Sequence, residues 1–168
     1  MLFLRGLLAA TLIAAAAGAI VREPILRCRC NRVKSDVEQW IQRSDTTPSD
    51  FERKAAALRN IPRLERCATD FRDDWEALFL LGGLLDVAGR DRAAMAHYQT
   101  ALDLERRPEI YYAISLIHFE QGRVAEGLAN AQSAAFFNLY YADQFDPQLR
   151  MQLWNAIQLE RQRLKMNR

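Results

Sequence analysis

Two stretches of this chain read through one pattern at a fixed offset: Gly89-Arg90 recurs as Gly122-Arg123, and 122 minus 89 gives a period of 33. At that spacing Leu81 meets Ile114, Ala101 meets Ala134, Leu104 meets Phe137, and Gln99-Thr100-Ala101 meets Gln132-Ser133-Ala134. A period of this length filled with helix-forming residues marks a helical hairpin that buries its apolar face by stacking on a neighbour. The composition agrees. Ala, Leu, Arg, Glu and Gln dominate, and seven Gly and five Pro are few for an all-β chain.

The residues inside each copy identify the hairpin type. From Trp75 the first copy carries Leu78-x2-Leu81-Gly82-x2-Leu85, a turn glycine at Gly89, then Ala94-x3-Tyr98, Ala101 and Pro108. The second carries Tyr111-x2-Ile114-Ser115-x2-His118, Gly122, then Gly127, Ala131 and Ala134. These runs resemble the tetratricopeptide repeat, over about two fifths of the chain. The second copy departs from the pattern: Gly127 replaces an alanine, Ala131 stands where an aromatic belongs, and Phe136 and Phe137 are the expected fillers. Asp73 with Glu76 is expected to cap the first helix, Gly89 to end it and Asp91 to begin the second.

The resemblance implies an all-α fold: a short right-handed superhelical stack of hairpins, with a capping C-terminal helix and an N-terminal hydrophobic helix. It also implies that the first helix of each hairpin faces a peptide or helix of a partner protein. The positions that match are Glu76, Phe79, Gly83 and Asp86 in one copy, and Glu109, Tyr112, Leu116 and Phe119 in the other. Aromatics beside carboxylates suit a partner segment with apolar and basic side chains. The lysine and asparagine set with which some family members clamp a C-terminal carboxylate is missing. The competing reading is that Phe79, Tyr112 and Phe119 are packing residues, buried by the elements at the two ends of the array.

Before the repeats, residues 1–21 hold one charge, Arg5, in an otherwise apolar run long enough to cross a bilayer as a helix. An uncleaved anchor is the leading reading and implies a single-pass protein of the plasma membrane. A cleaved signal, with Ala17-Gly18-Ala19 as its small-residue site, and a buried helix are the alternatives. Arg22, Arg27, Arg29, Arg32 and Lys34 follow and would hold the downstream side in the cytoplasm, so sidedness stays open. Within this basic segment, 22–46, Val33, Val37, Trp40 and Ile41 predict a short amphipathic helix. Cys28, Cys30 and Cys67 allow at most one internal disulfide and leave the compartment undecided. Packing is the favoured account of Cys67. Two of these cysteines are only two residues apart and the histidines are remote, so the ligand count argues against a metal.

Residues 47–74 read as a half repeat. Thr47 is expected to cap a helix with Pro48 first and Asp50 third, lined by Phe51, Ala55 and Leu58, and broken at Asn60-Ile61 by Pro62. Hairpins at 75–107 and 108–141 follow, and 142–168 is expected to be a capping helix opened by Asp146-Pro147, with Leu149, Leu153, Ile157 and Leu164 on one face. His118 sits at the repeat's aromatic position and reads as packed, while His97 is placed on an exposed stretch. No nucleophile with its base, phosphate loop or metal cluster is legible, so neither an enzyme, a cofactor nor a small-molecule substrate is expected. A net charge of +2 gives no case for nucleic acid. The expected function is a membrane-tethered adaptor or scaffold. The alternatives are a structural subunit of a larger membrane complex, or a periplasmic or extracellular factor released by signal cleavage.

Overall fold

The structure, a computed structural model, describes residues 23–42 and 49–166, with side chains as far as 163. The chain divides into two compact units, Met1–Thr47 and Pro48–Arg168. In the first, one helix (α1) covers 23–42 and so begins ten residues before the expected amphipathic stretch at Val33. Along it Val37 is buried, Val33 and Trp40 are half-buried and Ile41 is exposed. The expected membrane segment 1–21 lies outside the described residues. No described helix is long and apolar enough to cross a membrane.

The second unit runs α2 (Asp50–Asp70), α3 (Trp75–Val87), α4 (Asp91–Leu104), α5 (Pro108–Glu120), α6 (Val124–Phe137), a 3-10 helix (Leu139–Gln144) and α7 (Pro147–Met166). Every element among the described residues is helical. Each α-helix packs on the next in sequence, and the closest pairs are α3 with α4 and α5 with α6. These are the two hairpins that the 33-residue period predicts.

Three expectations for α2 are corrected. Its N-cap is Ser49, whose hydroxyl accepts from the Glu52 N–H at 3.4 Å while the Glu52 carboxylate accepts from the Ser49 N–H at 3.0 Å. Thr47 and Pro48 lie outside the described residues. The helix also runs on through Pro62 as one element. Ala56, Ala57 and Ile61 before the ring and Leu64 and Cys67 after it are buried on one face, and that continuous packing outweighs the lost backbone bond. Finally, Phe51 and Leu58 are exposed, so the buried stripe lies on a different side from the one expected.

Both hairpin turns close in the same way. After α3 the Gly89 N–H donates to the Asp86 carbonyl and the Arg90 N–H to the Leu85 carbonyl, each at 2.8 Å. After α5 the Gly122 N–H donates to Phe119 at 3.0 Å and the Arg123 N–H to His118 at 2.9 Å. This pair of bonds is the Schellman motif, which requires a left-handed residue after the helix, and Gly89 (φ 75°) and Gly122 (φ 70°) supply it. The repeated dipeptide is therefore a repeated backbone device. The cap of α3 is Asp74, whose carboxylate accepts from the Ala77 N–H at 3.0 Å, one residue later than expected.

The two hairpins fill their interiors from opposite sides. In the first, Tyr98 of α4 lies over Gly82 of α3, where a Cβ would come within 2.6 Å of the ring. In the second, Phe119 of α5 lies over Gly127 of α6, with the same 2.6 Å limit. At the 33-residue offset Tyr98 becomes Ala131 and Asp86 becomes Phe119, so the ring has moved to the partner helix and the glycine has moved to face it. Phe136 and Phe137 do not fill this space, since both are exposed. At both crossings a ring fills the space left by a missing side chain, and either helix can supply either.

At the C-terminal end, the Asp146 carboxylate accepts from the N–H groups of Gln148 and Leu149 at 3.0 and 3.1 Å and opens α7. Leu153 and Ile157, with Leu149 beside them, pack into a cluster with Ala131, Ala135, Ala142 and Phe145. This is the face expected of the capping helix as far as it is described. The Leu164 side chain lies outside the described residues.

Candidate functional site

The eight positions matched to a partner-facing surface all lie on α3 and α5, and all are half-buried. Their surroundings divide them into two groups. Tyr112, Leu116 and Phe119 of α5 pack against the cluster of α7 and the 3-10 helix. The Tyr112 ring is 5.2 Å from Tyr141 and 5.4 Å, edge-on, from Phe145, and Phe119 meets Phe145 edge-on at 5.9 Å. Burial raises the phenol pKa of Tyr112 and of Tyr141. In this hairpin the packing account of the aromatics describes what is seen. Phe145 and Tyr141 cover them, and neither occupies a position of the 33-residue pattern.

Hairpin one differs. Phe79 packs tilted on Tyr98 with centroids 5.7 Å apart, and no ring from α7 or the 3-10 helix reaches it among the described contacts. Gly83, one turn along, leaves room beside the Tyr98 hydroxyl, which would stand 3.5 Å from a Cβ there. Tyr98 is itself buried, and burial followed by the nearby Asp86 charge pushes its phenol far above the usual value. Asp86 is pushed up to about 6, first by burial and then by the carboxylates of Glu120 and Asp91. Three acidic groups from α3, α5 and α4 thus share one region, and the innermost of them keeps its proton into mildly acidic solution.

Glu109 is not a bare carboxylate. Its Oε1 accepts from Arg107 Nε at 2.9 Å, the same guanidinium donates to Glu105 at 3.4 Å, and it lies 5.0 Å over the Trp75 ring. The stacking of Arg107 on Trp75 ties the start of α5 to the start of α3, while its ion pairs with Glu105 and Glu109 stay local. Glu76 and Asp86 are the two carboxylates among the matched positions of α3.

Among the described residues no carboxylate hydrogen-bonds or ion-pairs with either histidine. His118 is half-buried with Nδ1 unpartnered, and burial followed by the Arg123 charge lowers its pKa. His97 is half-buried, where exposure was expected, and burial lowers its pKa against an opposing pull from Glu65. Cys30 and Cys67 are disulfide-bonded and Cys28 is an exposed free thiol, so simple packing does not account for Cys67. Among the described residues no group of three His, Cys, Asp or Glu side chains is arranged to hold a metal ion. No protein-family model, curated protein or solved structure matches the chain.

Proposed function

We propose that this protein is a protein-interaction adaptor built on a short right-handed stack of tetratricopeptide-like hairpins, and that it engages a partner through α3. The observation that carries the reading is the pair of successive hairpins closed by the same Gly-Arg turn, with Glu76, Phe79 and Asp86 in a row on α3 and still accessible to solvent. A half-buried aromatic with a carboxylate one turn before it and another two turns after it suits a segment that offers an apolar anchor and a basic side chain. Tyr112, Leu116 and Phe119 serve the cap in this reading, so the working surface is shorter than the resemblance alone implies.

Residues 1–21 would tether the adaptor to the plasma membrane or direct its export. The oxidised state of Cys30 and Cys67 favours placing the folded part in an oxidising compartment, such as a periplasm or the extracellular space. The test is crosslinking in native membranes with wild type, Phe79→Ala and Tyr112→Ala. An adaptor loses a specific crosslinked partner on Phe79→Ala while its helical signal is unchanged. If partners are lost only when the fold is lost, as Tyr112→Ala would do through the cap, the chain is instead a structural subunit of a larger assembly.

A further inference from the structure

The two Gly-Arg turns lie at one end of the hairpins and enclose an open cleft of about 860 Å³, lined by Gly89, Arg90, Asp91, Arg92, Ala93, Gln121 and Arg123. Its base is held across the repeats. Gln121 Nε2 donates to Asp91 Oδ2 at 3.4 Å, and Arg123 donates to Gln121 Oε1, so a chain of three side chains joins one turn to the other. Arg90 and Arg92 are exposed and have no side-chain partner among the described residues. Among the lining side chains three guanidiniums stand against one carboxylate, Asp91, which is engaged by Gln121 and has Asp86 and Glu120 near it behind the lining.

We propose that this cleft docks an acidic peptide segment of a partner protein, with Arg90, Arg92 and Arg123 each taking a carboxylate. The guanidinium fork matches a carboxylate bidentately, and three of them spread over two turns can read a run of acidic side chains. The size of the cleft favours a chain segment over a single small anion. The surface adjoins the C-terminal end of the α3 row at Asp86, but the proposal does not rest on the adaptor reading. A partner holding both surfaces would present acidic residues to the turns and basic ones to α3.

The test is fluorescence anisotropy of a labelled hexaglutamate peptide with the full-length protein in mild detergent at low salt. Arg90→Gln, Arg92→Gln and Arg123→Gln should each weaken binding by about three- to fivefold, as expected for solvated ion pairs. Raising the salt should weaken binding further, and Arg161→Gln, an exposed arginine of α7, should leave it unchanged. The three cleft arginines are exposed, and an unchanged far-ultraviolet spectrum confirms that the variants fold. Equal losses in the cleft variants and the Arg161 control, or no binding at low salt, overturn the proposal. Displacement of the peptide by glycerol phosphate at concentrations where glutarate has no effect also overturns it, and reassigns the cleft to a phosphate or lipid headgroup.

Discussion

Replacing Gly127 by alanine tests the crossing of α5 and α6 with a single methyl group. The added Cβ would stand 2.6 Å from Phe119 Cε1, 2.7 Å from Cδ1 and 3.0 Å from Cζ. The ring cannot simply retreat, because Phe145 lies edge-on at 5.9 Å and the α7 cluster is behind it. Overpacking of this kind costs about 1–3 kcal/mol, while alanine in a helix interior returns about 0.5–1 kcal/mol relative to glycine. The net expectation is a loss of about 1–2 kcal/mol. Urea unfolding of the full-length protein, followed by far-ultraviolet circular dichroism, gives the number. In a Phe119→Leu background the smaller side chain leaves room, so the same methyl should be neutral or stabilising there. The cycle should then show a coupling of about 1–2 kcal/mol. If Gly127→Ala costs the same in both backgrounds to within about 0.5 kcal/mol, the ring does not occupy the space over Gly127 and the account of the second hairpin fails.

Gly122→Ala should also destabilise, by about 1–2 kcal/mol, but for a different reason. A Cβ there meets nothing within 4 Å, and the cost is the left-handed φ of 70°, so no substitution at a neighbouring side chain should rescue it. Ser49→Ala removes the capping box of α2 and should cost about 1 kcal/mol in the same unfolding measurement. Asp86 has a folded pKa raised to about 6 from 3.8, so the folded state holds the extra proton between those values and stability falls as pH rises across that window. Asp86→Asn should therefore stabilise by about 1 kcal/mol at pH 7, after allowance for solvent screening, with the gain vanishing near pH 4. Equal stabilisation at both pH values would refute that assignment. Iodoacetamide should label one thiol per native chain, Cys28, and all three cysteines after reduction.

The hairpins were legible in the sequence because a Schellman turn needs glycine at one backbone position, and a glycine recurring at a fixed offset reports that need directly. The details that failed depended on choices that local rules leave open. Thr47 with Asp50 and Ser49 with Glu52 both fit a capping pattern, and the observed box uses the longer carboxylate, which reaches back to the cap N–H. Pro62 reads as a break when taken alone. It is passed over because the apolar side of α2 continues from Ala57 through Ile61 to Leu64.

The exchange of rings between the hairpins was half visible. A missing aromatic at Ala131 and an added glycine at Gly127 both stood out against the first copy, but so did Phe119 in the place of Asp86, and that third change completes the set. Read together, the three describe one steric solution built from the other helix. They also bear on the candidate site, since the Phe119 ring is packed between Gly127 and Phe145 by the fold itself. Position in a repeat pattern shows which way a side chain starts out. Whether it meets solvent or a neighbour is decided by the next element, here the 3-10 helix and α7, which follow no 33-residue rule. Phe79 has no such cover among the described contacts, so the functional case falls on α3 and not equally on both hairpins.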